Sequence, residues 1–304
     1  MSNEIKRVTG LLVIEVVNSN PNGNPDQESD PRVRDNGQGE ISPVSFKRKL
    51  RDLVELTEGP VFQTVTKDLP DVPEGYQFGI LESRDRDIAS VHNEQKNGQP
   101  TKGKKDKIEF DQSIFLQSPF VKKYWDARLF GNTFLEKDMA KGFIKTGIVQ
   151  FGMGLSIASV GIQRHTNTKK APLDDDKGSG MAPLAYRVVE HGAYIMPFFI
   201  NPSLAHKSGC KSCDVELLKR LIPYAYEHTR SAIRPDVRIR HAWWIEHKDV
   251  LGSIPDYKLI DALTPKRKSD DPLKPSTTWD ADYDIPSQLP NDLKGKVDAK
   301  DLVG

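Results

Sequence analysis

The sequence predicts an α+β fold whose elements follow the order strand, helix, strand, strand, helix, strand. Three observations predict it: a β-branched apolar run at Leu11–Val17, a basic amphipathic segment soon after it, and two apolar runs in the middle of the chain joined by a long polar excursion. This order is that of the ferredoxin-like βαββαβ arrangement. Large insertions are expected after the first helix and inside the central strand pair.

Composition limits the classes of function without choosing one. The chain has 304 residues, with 44 Lys and Arg against 43 Asp and Glu, so any phosphate-binding surface must come from local segregation of charge. Cysteine occurs only at Cys210 and Cys213, which favours a reducing compartment over a disulfide scaffold. No apolar run is long enough to span a bilayer, and the N-terminus does not resemble a signal peptide. We therefore expect a soluble cytoplasmic protein that does not bind membranes.

The first strand leads through a polar loop into a helix. The loop is crowded with Asn, Pro and Gly between Asn18 and Pro25, residues that end a strand and form turns. Ser42 is the predicted N-cap of the helix and Pro43 its first residue. Phe46, Leu50, Leu53 and Val54 fall on one face and are expected in the core.

Three cations, Lys47, Arg48 and Arg51, share the adjacent face of this helix. Cations early in a helix oppose the positive end of its dipole, so they add nothing to helix stability. A bound polyanion would suit them better. The alternative is a solvated flank of a core helix, which is what most charge runs on helices are.

The long insertion after the first helix has little periodicity. Its part from Arg84 to Lys107 is highly charged and reads as a projection, whose lysines either touch phosphate or form a solvated loop tip. Order is expected to return in a short helix around WDARLFG. A long strand is then predicted over Gly147–Ile162.

The polar excursion Gln163–Arg187 reads as an arm projecting from the central hairpin, which continues as a strand over Val188–Ile200. A second helix is predicted over Asp214–Ile233, with Asp214 as its cap and a bend at Pro223. The alternating segment Val237–Glu246 reads as the last strand. The tail from Thr264 is poor in apolar residues and is expected to be irregular. RNA-recognition domains share the βαββαβ order. The aromatic residues on which those domains stack bases are not recognisable in this sequence, so base reading on an open sheet face is not predicted.

Five sequence segments resemble one known family. They are SNPNGNPDQESDPR, SFKRKLRDLV, WDARLFG, EHTRSAIRP and IEHKD, and together they resemble the backbone subunit of type I CRISPR Cascade complexes, most of all that of subtypes I-B and I-C. The resemblance runs from Leu11 to Asp249. It implies a modified RNA-recognition palm with inserted finger and thumb regions, which polymerises along a CRISPR guide RNA and offers the guide in segments to target DNA. The implied partners are the guide, target DNA, identical subunits in a helical filament and other Cascade subunits, with no catalytic activity and no cofactor.

The resemblance also implies a division of the chain and a set of contacts. Residues 1–57 would form the first half of the palm, 58–145 a finger-like insertion with the finger itself at Arg84–Tyr124, 146–162 a palm strand, 163–187 the thumb-like arm, 188–263 the rest of the palm, and 264–304 the irregular tail. Lys47, Arg48, Lys49 and Arg51 would hold guide phosphates, and Met181 would act as a wedge at a displaced base. The full expected RNA-binding set is Asn18, Asn20, Asn22, Lys47, Arg48, Lys49, Arg51, Arg164, His165, Lys169, Lys170, Met181 and Arg234.

Two other kinds of site remain open. The related type III backbone subunits cleave target RNA with a loop aspartate, and Asp26, Asp30 and Asp35 lie in the corresponding loop here, although Asp is also a common turn residue. His206, Cys210 and Cys213 suggest a metal site, but one CxxC lacks the second pair of ligands of a closed zinc site. Two reduced thiols in a loop are the simpler interpretation.

Overall fold

A central antiparallel sheet organises the fold. The computed structural model describes residues 4–97, 101–102, 107–108, 111–131, 146–169, 182–271 and 273–304. The strands of the main sheet are β1 Val8–Ser19, β2 Gln38–Ile41, β3 Val149–Phe151, β4 Gly154–Ser159, β5 Ile162–Lys169, β6 Ala182–Ile200, β7 Val237–His247 and β8 Val297–Asp301. Their spatial order is β8-β7-β1-β6-β4-β2, with β3 and β5 also paired to β6.

Helices of very different length connect these strands. They are α1 Pro43–Glu55, α2 Pro60–Thr66, α3 Ile88–Lys96, α4 Gln112–Leu116, α5 Pro119–Lys123, α6 Trp125–Phe130, α7 Ala205–Ser208, α8 Ser212–Leu221, α9 Asp256–Leu263, α10 Trp279–Asp282 and α11 Asn291–Lys294. Single 3₁₀ turns lie at Pro202–Leu204, Ile222–Tyr224 and Glu227–Thr229. Two-residue strand pairs join Gly23–Asn24 to Asp30–Pro31, Thr101–Lys102 to Lys107–Ile108, and Lys266–Arg267 to Tyr283–Asp284.

The predicted mixed α+β class is confirmed. The strand β1 lies between β6 and β7, and its residues from Val8 to Val16 are all buried. The predicted helix α1 begins after Ser42, whose Oγ accepts a hydrogen bond from the Ser45 N–H at 3.2 Å, with Pro43 at the first position. The apolar face expected for α1 is buried in the core. Between β1 and β7 the predicted elements occur in the predicted order, with β2 as an additional strand before α1 and with β3, β4 and β5 before β6.

The two faces of the sheet are covered by different parts of the chain. On one face, Leu12 and Ile14 of β1 belong to the same apolar core as α1 and α8. On the other, Leu11 and Val13 pack in a second core with Trp279 and residues near it in the C-terminal segment. The C-terminal segment therefore covers the second face of the sheet.

The C-terminal segment differs from the irregular tail that the sequence predicts. It contributes α10, α11 and the strand β8, which pairs with β7 at the edge of the sheet. Although apolar residues are sparse in it, Trp279, Tyr283, Leu289 and Val297 are all buried. A few large side chains at wide spacing thus anchor a segment whose average composition suggests disorder.

Two other elements have different bounds from those predicted. The expected strand Gly147–Ile162 is divided into β3, β4 and the start of β5, with breaks around Gly152 and Gly161. The expected helix Asp214–Ile233 is α8, which ends at Leu221 before Pro223 and continues only as 3₁₀ turns. Its N-cap is Lys211, and the Asp214 carboxylate accepts from the Lys211 N–H at 2.9 Å as the third residue of the helix.

The segment WDARLFG forms α6, which attaches the first insertion to α8. The Trp125 indole donates to the carbonyl oxygen of Asp214 at 3.1 Å. Arg128 and Asp214 form an ion pair at 2.7 Å in which both side chains are fully buried. Asp126 binds Arg51 of α1 at 2.8 Å. The helix α6 therefore connects α1, α8 and the base of the insertion.

No helix in the described ranges is both long and apolar enough to cross a membrane.

We predict that removing one partner of the buried pair Arg128 and Asp214 strongly destabilises the fold. Arg128→Met should lower the free energy of unfolding in urea by about 3–5 kcal/mol, because it leaves a buried carboxylate unpaired. The control is Lys6→Met, which removes one side of an exposed ion pair with Glu246 and should cost less than about 1 kcal/mol. Arg128→Met combined with Asp214→Asn should recover part of the loss. Equal losses of stability in Arg128→Met and Lys6→Met would contradict the prediction.

Candidate nucleic-acid interface

The loop after β1 is ordered by its own hydrogen bonds. Asn18 has a positive φ of 42°, which Asn tolerates better than most residues, and its side chain is exposed. The Asn22 amide oxygen accepts from the Ser42 N–H at 2.7 Å, so it connects the start of the loop to the cap of α1. The short strand pair between Gly23–Asn24 and Asp30–Pro31 closes the loop tip. The prediction of a turn-ordered loop is confirmed.

Asn20 joins this loop to the segment before β7. Its backbone N–H donates to the Ile233 carbonyl at 2.8 Å, and its carbonyl accepts from Arg234 Nε at 3.0 Å. Its side-chain Nδ2 donates to the Ser29 carbonyl at 2.7 Å. The residue is 2% exposed, and its Oδ1 has no hydrogen-bond partner. Asn20 is therefore fixed from several sides while one buried acceptor remains unused.

Two of the predicted phosphate-binding cations already have carboxylate partners. Arg48 binds Asp52 at 2.6 Å and Glu55 at 2.7 Å, and it also donates to the Glu82 carbonyl. Arg51 is buried against Asp126. The bonds of Arg48 to Glu82 and of Arg51 to Asp126 position α1 against the first insertion. Together with the pairs inside α1, they leave both guanidinium groups with less capacity for a phosphate.

Lys47 and Lys49 have different surroundings from Arg48 and Arg51. The Lys47 ammonium lies 4.9 Å from the centre of the Phe130 ring, and burial, with a smaller contribution from Arg51, lowers the pKa of Lys47 to about 8. Burial and then the nearby charge of Arg234 lower the pKa of Lys49, although Asp52 lies 3.7 Å away. Lys49 and Arg234 thus repel each other beside the loop. An anion between them would be stabilised by both.

The base of the arm is a β-ribbon formed by β5 and β6. Arg164 pairs directly with Arg187, and His165 with Tyr186, whose ring stacks on the imidazole at 5.8 Å. Arg187 forms an ion pair with Asp30 of the loop. Arg164 is exposed. The ribbon therefore contacts the loop through Arg187 and leaves a second cation beside that contact.

A cavity of about 320 Å³ lies where the loop, the ribbon and the segment before β7 meet. The structure brings two residues of the predicted RNA-binding set, Asn20 and Arg164, together in its lining. Its lining includes Asn20, Ser29, Asp30, Arg164, Arg187 and Ile233.

The remaining predicted contacts lie apart or outside the described residues. Lys169 is described by its backbone alone, which pairs with Ala182. Lys170 and Met181 lie outside the described residues. The acidic run Asp174–Asp176 and two lysines of the charged projection, Lys104 and Lys105, do so as well. The RNA-binding set stays a prediction. Within it, Asn20 and Arg164 line a cavity that could hold a ligand.

The three loop aspartates, Asp26, Asp30 and Asp35, have different surroundings. Asp30 is held by Arg187, whereas Asp26 and Asp35 are exposed. Within the described ranges no group of three or more His, Cys, Asp or Glu residues is arranged to hold a metal ion. Cys210 and Cys213 are free thiols buried near Asp214, and burial raises the pKa of both, that of Cys213 to about 11.

The ion-pair partners of Arg51 and Asp30 are not evident from the sequence. Asp126 and Arg187 lie far along the chain from Arg51 and Asp30. One partial signal exists for Arg187: once the strands of the hairpin are placed, their register puts Arg187 opposite the predicted site residue Arg164. The pairing of Arg51 with Asp126 has no comparable signal, because it depends on how the insertion folds back on α1.

Comparison with known families gives one match that covers most of the chain. The model of the family described as "CRISPR-associated protein Cas7" matches residues 6–287. No curated protein matches the sequence.

Several solved structures contain chains with a remote likeness to this one. A chain of a "CRISPR RNA-guided surveillance complex, pre-nicking" has 16% identity and a TM-score of 0.45, covering 79% of this chain and 75% of that one. A chain of a "CRISPR RNA-guided surveillance complex" has 14% identity and a TM-score of 0.43, with coverages of 89% and 78%. A chain of the type III-B Cmr-beta complex bound to cognate target RNA has 9% identity and a TM-score of 0.41, with coverages of 79% and 61%.

We predict that the charge of Lys47 destabilises the folded chain near neutral pH. The pKa of about 8 in the folded state is lower than in the unfolded chain, so the folded state loses this proton first and stability rises with pH between about 8 and 10.5. Lys47→Met should therefore raise the free energy of unfolding at pH 7, and this advantage should shrink at pH 9.5. The control Lys67→Met, at an exposed lysine, should have little effect at either pH. A constant advantage of Lys47→Met at both values would contradict the assignment.

Proposed function

The chain belongs to the CRISPR-associated protein Cas7 family, and on that premise we propose that it is a guide-RNA-binding, self-assembling backbone subunit of a type I Cascade complex. In this role copies bind side by side along a CRISPR guide RNA. They hold the guide in segments whose base edges remain free to pair with target DNA. Other Cascade subunits bind the ends or sides of the resulting filament.

The observation that carries the proposal is the pair of cations beside the Asn20 loop. Arg234 donates to the Asn20 carbonyl through Nε, and it has no carboxylate partner among the residues that the structure describes. Its charge helps to lower the pKa of Lys49, so two cations from segments far apart in sequence lie close together, and the one carboxylate near Lys49, Asp52, is shared with Arg48. A phosphate group would supply a further counter-charge. Arg164, which lines the cavity beside Asn20, offers a further cation.

The kind of contact fits a guide of any sequence. A guide-binding subunit must accept every spacer, so it should contact phosphate, ribose and shape and leave the bases for pairing. The cations and loop groups described above suit such contacts. The second face of the sheet, where RNA-recognition domains stack bases, is covered by the C-terminal segment.

Assembly of many copies is compatible with the overall charge. With 44 Lys and Arg against 43 Asp and Glu, each copy is nearly neutral, so copies can pack closely without strong mutual repulsion. Salt dependence of RNA binding then comes from the few cations at the interface in each copy, multiplied by the number of copies on one guide.

We predict that Lys49 and Arg234 each hold guide phosphate. The wild-type protein mixed with guide RNA should form large RNA-containing particles in sedimentation. Lys49→Ala combined with Arg234→Ala should weaken binding and reduce the slope of log affinity against log salt by about 0.7 for each cation lost per copy. The matched control removes two exposed lysines elsewhere, with Lys258→Ala and Lys300→Ala, and should keep the wild-type slope.

A protein that stays monomeric with guide RNA would contradict the function, whereas an unchanged slope in the Lys49 and Arg234 variant would contradict only the assigned contacts.

We propose further that this subunit is not a nuclease. Asp30 neutralises Arg187 and so is poorly placed to act as a base or a metal ligand, and Asp26 and Asp35 lie on exposed turns. The engagement of Asp30 is the observation that favours this choice over a type III-like endoribonuclease.

The expected result with assembled particles, complementary RNA and Mg²⁺ is no guide-directed cutting. The comparison uses wild type, Asp30→Ala and Asp35→Ala in the same gel assay. Regular cuts by the wild type that disappear in either variant would establish the endoribonuclease function instead.

A further inference from the structure

The cavity between the loop, the ribbon and the segment before β7 has a feature that the binding of phosphate does not explain. We propose that it holds one ribose of the bound strand and that Asn20 Oδ1 accepts a hydrogen bond from the ribose 2′-hydroxyl, so that this residue makes the subunit selective for RNA over DNA. The inference rests on the proposed function, since it concerns how the same strand is recognised.

The geometry fixes which atom of Asn20 is available. The Nδ2 group donates to the Ser29 carbonyl at 2.7 Å, and a carbonyl cannot donate in return, so the orientation of the amide is determined. The backbone N–H and carbonyl are occupied by Ile233 and Arg234. Only Oδ1 has no partner, at a residue that is 2% exposed and lines the cavity. A buried acceptor without a donor is costly, so a donor from a ligand has a clear advantage.

The chemistry of the strand limits what that donor can be. Within a polynucleotide the phosphate and ring oxygens of the backbone are acceptors only, and the 2′-hydroxyl of RNA is the single donor that every nucleotide carries. The amino groups of bases are donors too, but they vary with sequence and are needed for pairing. A DNA backbone has no donor to offer. An orphaned acceptor in a site that takes any sequence is therefore matched by RNA alone.

The rest of the cavity fits a sugar with its phosphate. Its volume of about 320 Å³ is near the low end of the range of about 300–1,000 Å³ for small-molecule pockets, which is consistent with one nucleotide unit rather than a large ligand. Arg164 borders it and has no carboxylate partner among the described residues. The cation directly across the ribbon, Arg187, is neutralised by Asp30. Arg164 is thus the cation that would bind a phosphate adjoining the ribose.

The test compares two short single strands of one sequence, unmodified RNA and 2′-fluoro RNA, which keeps an RNA-like sugar shape but has no 2′ donor. Wild type should bind the unmodified strand about five-fold more tightly for each subunit engaged, the worth of one net hydrogen bond. Asn20→Ala should reduce this ratio towards one. The control Asn22→Ala disturbs the same loop, but its Oδ1 already accepts from Ser42, so both affinities should change together and the ratio should stay at the wild-type value.

A second measurement needs no variant and therefore does not depend on the folding of Asn20→Ala. Single 2′-fluoro substitutions are placed at each position of the strand in turn, and the wild-type affinity is measured. The proposal expects the loss to be concentrated at one position per bound subunit. Equal binding of RNA and 2′-fluoro RNA, an even loss over all positions, or an unchanged ratio in folded Asn20→Ala would each overturn the role of Asn20. Failure of wild type to bind either strand would instead contradict the proposed function.

Discussion

The buried ion pair of Arg128 and Asp214 is the interaction on which the arrangement of the helices depends. The five hydrogen bonds of the Arg128 guanidinium go to the Asp214 carboxylate and to the carbonyls of Gln77, Val121 and Lys122, so its donors are fully used. This holds α6 against α8. The position of α6 in turn places Asp126 against Arg51 and Phe130 beside Lys47. The electrostatic environment of α1 is thus set by a pair to which α1 does not contribute.

The same arrangement separates structural cations from those available to a ligand. On α1, Arg48 and Arg51 bind carboxylates at 2.6 Å and 2.8 Å, whereas Lys49 lies 3.7 Å from Asp52, which it shares with Arg48, and is also close to a second cation, Arg234. Judged by their charge and their position on α1 alone, these residues would be equally good candidates for binding phosphate. What distinguishes them is how fully each cation is neutralised, by nearby carboxylates of α1 for Arg48 and by a carboxylate distant in sequence for Arg51.

Local patterns were sufficient to predict much of the fold. β-branched and alternating runs identified β1, β6 and β7, and the Ser42 and Pro43 pair identified the start of α1. Errors arose where local signals were averaged over a segment. The tail around Trp279 and Tyr283 looks disordered in composition, but a few buried aromatics and a strand at the sheet edge order it. The predicted helix Asp214–Ile233 is longer than α8, because the apolar spacing of its sequence continues past Leu221 into 3₁₀ turns. The partners of the predicted site residues could not be derived, since pairs such as Arg187 with Asp30 bring together residues 157 positions apart.

The strand β6 has a mechanical consequence. It pairs with β5 from Ala182 to Val189 and with β1 from Val189 to Ile200, so one continuous strand belongs to both the ribbon and the central sheet. An unbroken antiparallel ladder resists bending within its plane far more than a loop does, because bending would break several backbone hydrogen bonds at once. We therefore expect the base of the arm to move together with the sheet. In a repeating assembly, a rigid arm would impose a fixed step between neighbouring copies, and the spacing along a bound strand would be determined by the protein rather than by the strand's flexibility.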